Sequence, residues 1–428
     1  MKLAVTACLA CLLLVSAAAR AQEPAPEESD GYTPGEEGPA WTWSGYLDVG
    51  FANAEGNGTS FSPDDTRLPA DYGVDPFATA VNSRGDVAST NSGGRFTNGF
   101  LPRSLGIGGR PSVFINTVSF DLRYAARSTP VSFFSRVQLL PRLDPEKGSE
   151  TRLFLEQAFG KLTPFSTVEL SLTVGRFDSA FGIEYLENQA NLRTGITPSL
   201  VARYTTGTSI GAKAFYRVQL APLWSALSLN VAATNGGTFV EALQPQEISL
   251  TGRPVGSGRV GYELNAPGVQ LKLGGSGLYG PRNDQGDREA LQKAFGADAR
   301  LSLFGVSLAG EYVHVDEDRG PGNDKVTGAG PQTGASAFHV RGFYVFGAYE
   351  LPLHAGFLHR VTLYGRYDHR HAWFEGFLPV TVQRITGGMR LDLWESLAVK
   401  GEYLRNIEGG GAPPVANDVI AASAVFSF

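Results

Sequence analysis

Hydrophobic and polar positions alternate along most of the chain. Trp41, Trp43, Leu47, Val49 and Phe51 take turns with Thr42, Ser44, Tyr46, Asp48 and Gly50. A period of two sends successive side chains to opposite faces, so this stretch is predicted to be a strand. At the other end, Ile420, Ala422, Ala424, Phe426 and Phe428 form an apolar face; Val419, Ala421, Ser423, Val425 and Ser427 form a smaller, mixed one. The pattern recurs over Ser112–Tyr124, with Phe114, Val118, Phe120, Leu122 and Tyr124 read as one face, and over Val131–Leu140, Arg152–Leu162 and Thr167–Phe177. It continues over Gly207–Val218, Leu223–Ala233, Gly258–Asn265, Val269–Tyr279, Gly296–Phe304 and Val306–Val315. Phe338–Leu351, His359–His369, Thr381–Leu393 and Leu397–Asn406 complete a set of sixteen predicted strands.

The connections sort into two kinds. Short ones fall at Ala125–Pro130, Thr163–Ser166, Ala221-Pro222, Ala266-Pro267-Gly268, Gly305, Pro352–Leu358 and Trp394–Ser396. Long ones run from Ala52 to Arg110 and over Pro141–Thr151, Asp178–Thr206, Thr234–Ser257, Gly280–Phe295, Asp316–Ala337, Arg370–Val380 and Ile407–Asn417. The two kinds alternate. A strand in lipid must pair both backbone edges, because each orphan polar group costs several kcal/mol, so strands cross membranes only as closed barrels. The expectation is an all-β, transmembrane, antiparallel β-barrel of about sixteen strands over residues 41–428, with short periplasmic turns and long extracellular loops. The localisation it implies is the bacterial outer membrane.

The chain's start agrees. Lys2, the apolar run Leu3–Ala19 and Ala19-Arg20-Ala21 read as a secretory signal peptide over 1–21, which takes no part in the fold. Both cysteines, Cys8 and Cys11, lie within it, so the remainder has no thiol chemistry. Residues 22–40, rich in Pro, Glu and Gly, read as a disordered periplasmic tail. After Ala21 no run is long enough for a membrane helix. The formal charge of −6 becomes −6 − 2 = −8 without Lys2 and Arg20, which speaks against nucleic acid as a partner.

Several short stretches look familiar: Val174–Glu184 (VGRFDSAFGIE), Gly342–Leu351 (GFYVFGAYEL), Thr362–Asp368 (TLYGRYD) and Lys400–Arg405 (KGEYLR). They are similar to the outer-membrane porin group that includes the OmpL-like porins and, more distantly, the phosphate-selective porins. The ending in Phe428 resembles the C-terminal strand of bacterial outer-membrane barrels. The resemblance implies a water-filled channel for passive diffusion of small hydrophilic solutes or ions. It also implies outer-membrane lipid as surroundings and recognition by the barrel-assembly machinery through the last strand. By analogy with porins of this size, a homotrimer is an expectation. The long first loop departs from the simple pattern.

In sixteen-stranded porins the third long loop folds inward, and the resemblance implies the same for Asp178–Thr206. Phe181, Ile183, Tyr185 and Leu186 are then expected on the inner wall, and Asp178, Glu184, Glu187, Arg193 and Arg203 toward water. Glu184, Glu187, Arg193 and Arg203 are the candidate constriction. Strand parity puts Arg123, Arg136, Arg217, Arg300, Arg366, Arg384 and Arg390 on the lumen side as candidate pore lining, opposed by a near-equal set of acids. Most of these are read as cross-strand ion pairs, leaving a mild anion bias at most. Arg176 and Arg341 have outward parity. No cofactor and no metal site is expected: His369 and His371 beside Asp368 lack a third ligand at a telling spacing. Arg84-Gly85-Asp86 is read as a chance triplet. The rivals are a substrate-specific outer-membrane channel and a barrel enzyme hydrolysing lipid or peptide. For the enzyme, His314 is the best-placed base and nothing marks a nucleophile.

Overall fold

The computed structural model describes residues 41–54, 80–81, 87–88, 96–97, 101–102, 112–125, 129–144, 148–220, 224–236, 252–281, 291–318, 337–374, 379–410 and 418–428. The segments 1–21 and 22–40, most of the first long loop, and Arg84-Gly85-Asp86 lie outside these residues.

One antiparallel sheet closes on itself through sixteen strands. In chain order they are β1 Trp41–Ala54, β2 Ser112–Ala125, β3 Val131–Asp144, β4 Gly148–Leu162, β5 Glu169–Asp178 and β6 Thr208–Leu220. Then come β7 Ser225–Thr234, β8 Val255–Ala266, β9 Val269–Pro281, β10 Leu291–Leu303 and β11 Val306–Glu317. The last are β12 Phe338–Ala355, β13 Leu358–Phe374, β14 Val380–Leu393, β15 Leu397–Gly410 and β16 Val419–Ser427. Each strand pairs with its sequence neighbours, and β16 returns to β1, so the sheet has no edge. Gly45 and Phe428 exchange both backbone hydrogen bonds at 3.0 Å, which carries the seam to the last residue.

The outer surface is apolar where the alternation requires it. Val174, Leu229, Val260, Leu273, Leu308, Leu363 and Ile420 are exposed along the middle of their strands. Trp41, Trp43, Tyr279 and Trp394 stand exposed toward strand ends, as aromatic girdles require. Such a band is stable only in lipid. The chain is a multi-pass β-barrel of the bacterial outer-membrane type.

Two features differ from the sequence reading. The first is strand length. β3 runs to Asp144 and β4 starts at Gly148, so the expected loop Pro141–Thr151 shrinks to residues 145–147. β13 runs on to Phe374, which moves Arg370 from loop to wall. Apolar alternation reports only the lipid-facing height of a strand. Ladder hydrogen bonds continue above the lipid, where the outward residues need not be apolar.

The second is a pair of bulges. The β1–β2 register slips between Asp48 and Val49, which leaves Asn116 extra. The β3–β4 register slips between Arg136 and Val137, which leaves Glu156 extra. A bulge re-aims the residues beyond it. Asn116 and Thr117 are both buried, as are Glu156 and Gln157. Exposed Val113 and Ile115 therefore share the outward face with Phe120; the side chain of Phe114, expected on that face, lies outside the described residues.

Candidate functional site: the folded-in loop

Ser179 to Gly207 leaves the top of β5 and turns into the barrel. Its neck is closed by Ser179 N donating to Gly207 O at 3.0 Å. The loop has little regular structure: a 3-10 turn at Glu184–Glu187 and one helical turn, α1, at Ala202–Thr205. Its backbone polar groups must find partners on the wall, since an orphan buried group costs about 1–3 kcal/mol. They find them on β9, β10, β11, β13, β14 and β15.

Hydrophobic burial seats one flank. Phe181, Val201 and Tyr204 are fully buried against Val255, Leu278, Ala294, Val313, Val315, Val340, Tyr344 and Ala372 on the inner faces of β8–β13. Polar wall groups hold the rest. On β9, Ser276 Oγ accepts from Gly182 N at 3.1 Å. On β11, Glu311 Oε1 accepts from Ile183 N at 2.9 Å. On β13, Asp368 Oδ1 accepts from Leu200 N at 3.1 Å, and Arg366 donates to the carbonyls of Thr197 at 2.7 Å and Pro198 at 2.8 Å. Arg370 Nε donates to Tyr204 Oη at 3.1 Å. On β14, Arg384 donates to Pro198 O, and Arg390 donates to Arg193 O at 3.0 Å. On β15, Glu402 Oε2 accepts from Thr197 N and Oγ1, both at 2.9 Å. Lys400 Nζ donates to the carbonyls of Ala190, Arg193 and Gly195.

The far flank is moored at Gln189. Its Oε1 accepts from Tyr46 Oη of β1 at 2.7 Å and from Gln138 Nε2 of β3 at 3.0 Å. Its Nε2 donates to the bulged Glu156 at 3.1 Å. The bulge thus supplies the carboxylate that receives the loop.

The four candidate constriction residues separate. Glu184 is buried, and its carboxylate accepts from Ser199 N at 2.7 Å and from Ser199 Oγ, so it staples the loop to itself rather than facing water as expected. Burial pushes its pKa up, against the pull of Arg366 and the Ser199 bonds. Arg193 is buried too, and burial pushes its pKa down, opposed by Glu184 and Glu402. Glu187 is half-exposed and pairs with Arg300 Nη1 of β10 at 2.7 Å. The side chain of Arg203 lies outside the described residues.

The candidate lining residues separate as well. Arg366 and Arg384 do point into the lumen, but the loop covers them, so they clamp it instead of bordering water. Arg136 makes a two-pronged pair with Asp121 at 2.6 Å, and Arg217 bridges Glu169 and Glu263 at 3.0 Å each. Arg390 shares Asp392 with Arg360, at 2.8 and 2.7 Å. Cross-strand pairing is therefore common on the wall.

What stays open lies on the other side of the loop. A cavity of about 450 Å³ extends from the turn at Thr129–Val131 to Asp178. Its wall carries Arg123, Arg136, Lys161 and Lys213 on β2, β3, β4 and β6, and its loop side is Tyr185, Leu186, Gln189 and Leu192. Asp178 is its one acid. A smaller cavity beyond Tyr185 and Leu186 is lined by Arg217, Arg259, Glu263, Lys272, Asp298 and Arg300. Parity does put Lys213 on the lumen side, whereas Lys161, Gln189 and Arg370 are not marked by it as site residues. Nothing local marks Gln189.

The histidines do not assemble with Asp368. His369 and His371 face outward, whereas buried Asp368 faces the lumen, because neighbours in a strand take opposite faces. Among the described residues no group of three or more His, Cys, Asp or Glu is placed to hold a metal ion.

No protein-family profile and no curated protein matches the chain. Solved structures do. The outer-membrane channel DcaP of Acinetobacter baumannii aligns over 91% of this chain and 97% of its own, with 10% identity and a TM-score of 0.50. OmpT, an outer-membrane protein of Vibrio cholerae, aligns over 92% and 99%, with 10% identity and a TM-score of 0.49. OmpF of Salmonella typhi, in complex with daunomycin, aligns over 91% and 97%, with 12% identity and a TM-score of 0.47. At these identities the likeness to DcaP concerns the barrel fold alone.

Proposed function

We propose that the chain is an outer-membrane porin that passes small hydrophilic solutes or ions by diffusion. One observation carries this: the loop between β5 and β6 is anchored round much of the lumen yet leaves a cavity against β2–β6 whose wall carries Arg123, Arg136, Lys161 and Lys213. A plug would have no reason to leave that wall lined with cations. The resemblance to OmpL-like and phosphate-selective porins points the same way, as does the barrel shared with DcaP.

In this reading the loop segment Tyr185–Leu192 and the facing wall form the constriction. Glu187, with Arg300, supplies charge on the loop side; Arg136, Lys161 and Lys213 supply it on the wall side. Glu184 and Arg193 shape the constriction from within the loop. The excess of wall cations over Asp178 favours anions modestly, because most arginines are already paired. The barrel acts as a passive pore without catalysis, is read by the assembly machinery through Phe428, and associates as a trimer.

Planar-bilayer recording of the purified protein tests the reading. Stepwise, ohmic conductance supports it. A silent bilayer together with hydrolysis of lipid or peptide would replace it with the enzyme.

A further inference from the structure

The outward face is not uniform round the barrel. At the long-loop end, β2–β4 and β6–β7 present apolar residues such as Val113, Ile115, Leu139, Leu153 and Val231. The sector β10–β13 is different. There the outward positions at the same end are Lys293, His314, His339, Arg341, His369 and His371. All six of the chain's histidines lie on β11–β13, four of them at this end.

The sector is built rather than scattered. His314 lies opposite Arg341 across the β11–β12 ladder, and Arg341 lies opposite His371 across β12–β13. Asp316 holds two imidazoles at once, His314 Nε2 at 2.9 Å and His339 Nδ1 at 2.5 Å. His371 Nδ1 bonds to Thr381 Oγ1 of β14 at 2.8 Å. Three imidazoles also stack on aromatic rings: His314 on Phe295 at 4.6 Å, His339 on Trp373 at 5.1 Å, and His369 on Phe343 at 5.5 Å. The rings are thereby held flat on the wall. Lys293 and Arg341 are exposed and make no ion pair or hydrogen bond among the described residues. Among the described residues two acids lie in the outward sector: Asp316 on the outward face, and exposed Asp318 at the same parity just past β11, whose carboxylate accepts from Leu291 N at 3.3 Å.

Height decides what this sector meets. From Val306 at the turn end of β11 to His314 and Asp316, the strand climbs roughly 20–26 Å along the axis, at ~3.4 Å per residue and a tilt near 40°. The apolar band is about 25 Å tall. A cation at mid-bilayer would be costly, whereas one at the boundary meets headgroups. The long-loop side of an outer-membrane barrel faces the outer leaflet, so those headgroups belong to outer-leaflet lipid.

We propose that the outward sector of β10–β13 is a docking site for phosphorylated outer-leaflet lipid. Arg341 and Lys293 are its permanent cations. Arg341 takes two phosphate oxygens through its planar fork; Lys293 acts as a point charge. His314, His339, His369 and His371 frame these cations on the same outward face, held by Asp316, Thr381 and Phe343. The site lies on the lipid side of the wall, so it does not depend on the channel reading. The bland alternative is an interface girdle in which histidine merely replaces tyrosine.

The test measures lipid binding to the full barrel in detergent by native mass spectrometry. The probes are bis-phosphorylated lipid A and the same lipid with both phosphates removed. The parent is expected to prefer the phosphorylated lipid by about ten- to thirtyfold. The double variant Lys293→Ala, Arg341→Ala is expected to lose that preference. Arg176→Ala, on β5 across the barrel, is expected to keep it. Heat-modifiable migration and unchanged conductance show that each variant is folded. Equal binding of the two lipids, or a preference that survives in the double variant, overturns the proposal. The histidine contribution is read with His339→Gln, His369→Gln: weaker binding of the phosphorylated lipid is expected, and binding equal to the parent's removes the histidines from the site.

Discussion

The ammonium of Lys400 lies 2.6 Å from the carbonyl oxygen of Ala190, a residue 210 positions earlier in the chain. The same ammonium reaches the carbonyls of Arg193 and Gly195. One buried cation thus gathers three consecutive bends of the loop and fixes its far flank to β15. Replacing Lys400 with Met keeps the volume and removes all three donors. The expected cost is about 2–4 kcal/mol, because buried carbonyls lose a charged partner. The barrel should melt at lower temperature by heat-modified gel migration, and its open-channel current should become noisier. A Lys400→Met barrel as stable and as quiet as the parent would show that the loop does not depend on this anchor.

Glu184 makes the loop's seat sensitive to pH. Burial raises its pKa above the ordinary carboxylate range. A carboxyl raised in the folded state stabilises that state at low pH, and the contribution fades as pH rises through the folded value. The neutral acid can also donate to Ser199 Oγ while accepting from Ser199 N. Loop excursions, seen as brief conductance changes, should therefore become more frequent as pH rises. Glu184→Gln preserves the donor and acceptor pattern without the charge, so its excursions should not vary with pH. Equal pH dependence in the two proteins would assign it elsewhere.

Glu187 and Arg300 pair at 2.7 Å while remaining partly exposed. Such a pair adds little stability, within about 1 kcal/mol. Its effect lies in the field along the passage. Glu187→Gln should leave melting almost unchanged and shift the reversal potential in a salt gradient toward anions. Lys161→Ala with Lys213→Ala should shift it toward cations. Two reversal potentials equal to the parent's would place the selective step outside this cavity.

Gly45 receives the end of the chain. A Cβ there would meet the Phe428 ring at 2.6 Å and also press on the carbonyl of Ser119. The seam between β1 and the last residue leaves no room for it. Gly45→Ala and deletion of Phe428 should both lower the amount of assembled barrel in the outer membrane. Channels that do assemble should keep the parent conductance. Normal levels of both variants would mean that closure does not run through this contact.

Much of the barrel was legible because lipid is an exacting solvent. It permits only closed pairing and forces apolar residues onto every second position, as at Ile420, Ala422 and Ala424. Where lipid ends, so does the signal: apolar alternation ends β13 at His369 and puts Arg370 in a loop, although the strand continues to Phe374. The bulges at Asn116 and Glu156 had a visible trace. Apolar parity changes between Val113, Ile115 and Val118, Phe120, whereas the reading of one face through Phe114 passes over that change. The loop was harder. Its position followed from strand order and family resemblance, and the inward placement of Phe181, Ile183 and Tyr185 followed from their hydrophobicity. Which acids would be buried did not follow, because an irregular loop has no period. Ser199 as the partner of Glu184, or Gln189 as the mooring between β1, β3 and β4, exists only once the loop has folded.

In the proposed channel the loop borders the passage. After the two cysteines at Cys8 and Cys11 the chain has none, so a single cysteine can report on one position. Leu186 lines both cavities on the loop side. Leu186→Cys should conduct like the parent in a planar bilayer. A bulky water-soluble thiol reagent should then lower the current in discrete steps, one for each barrel modified. A current that stays constant while mass spectrometry shows the thiol fully modified would contradict the account.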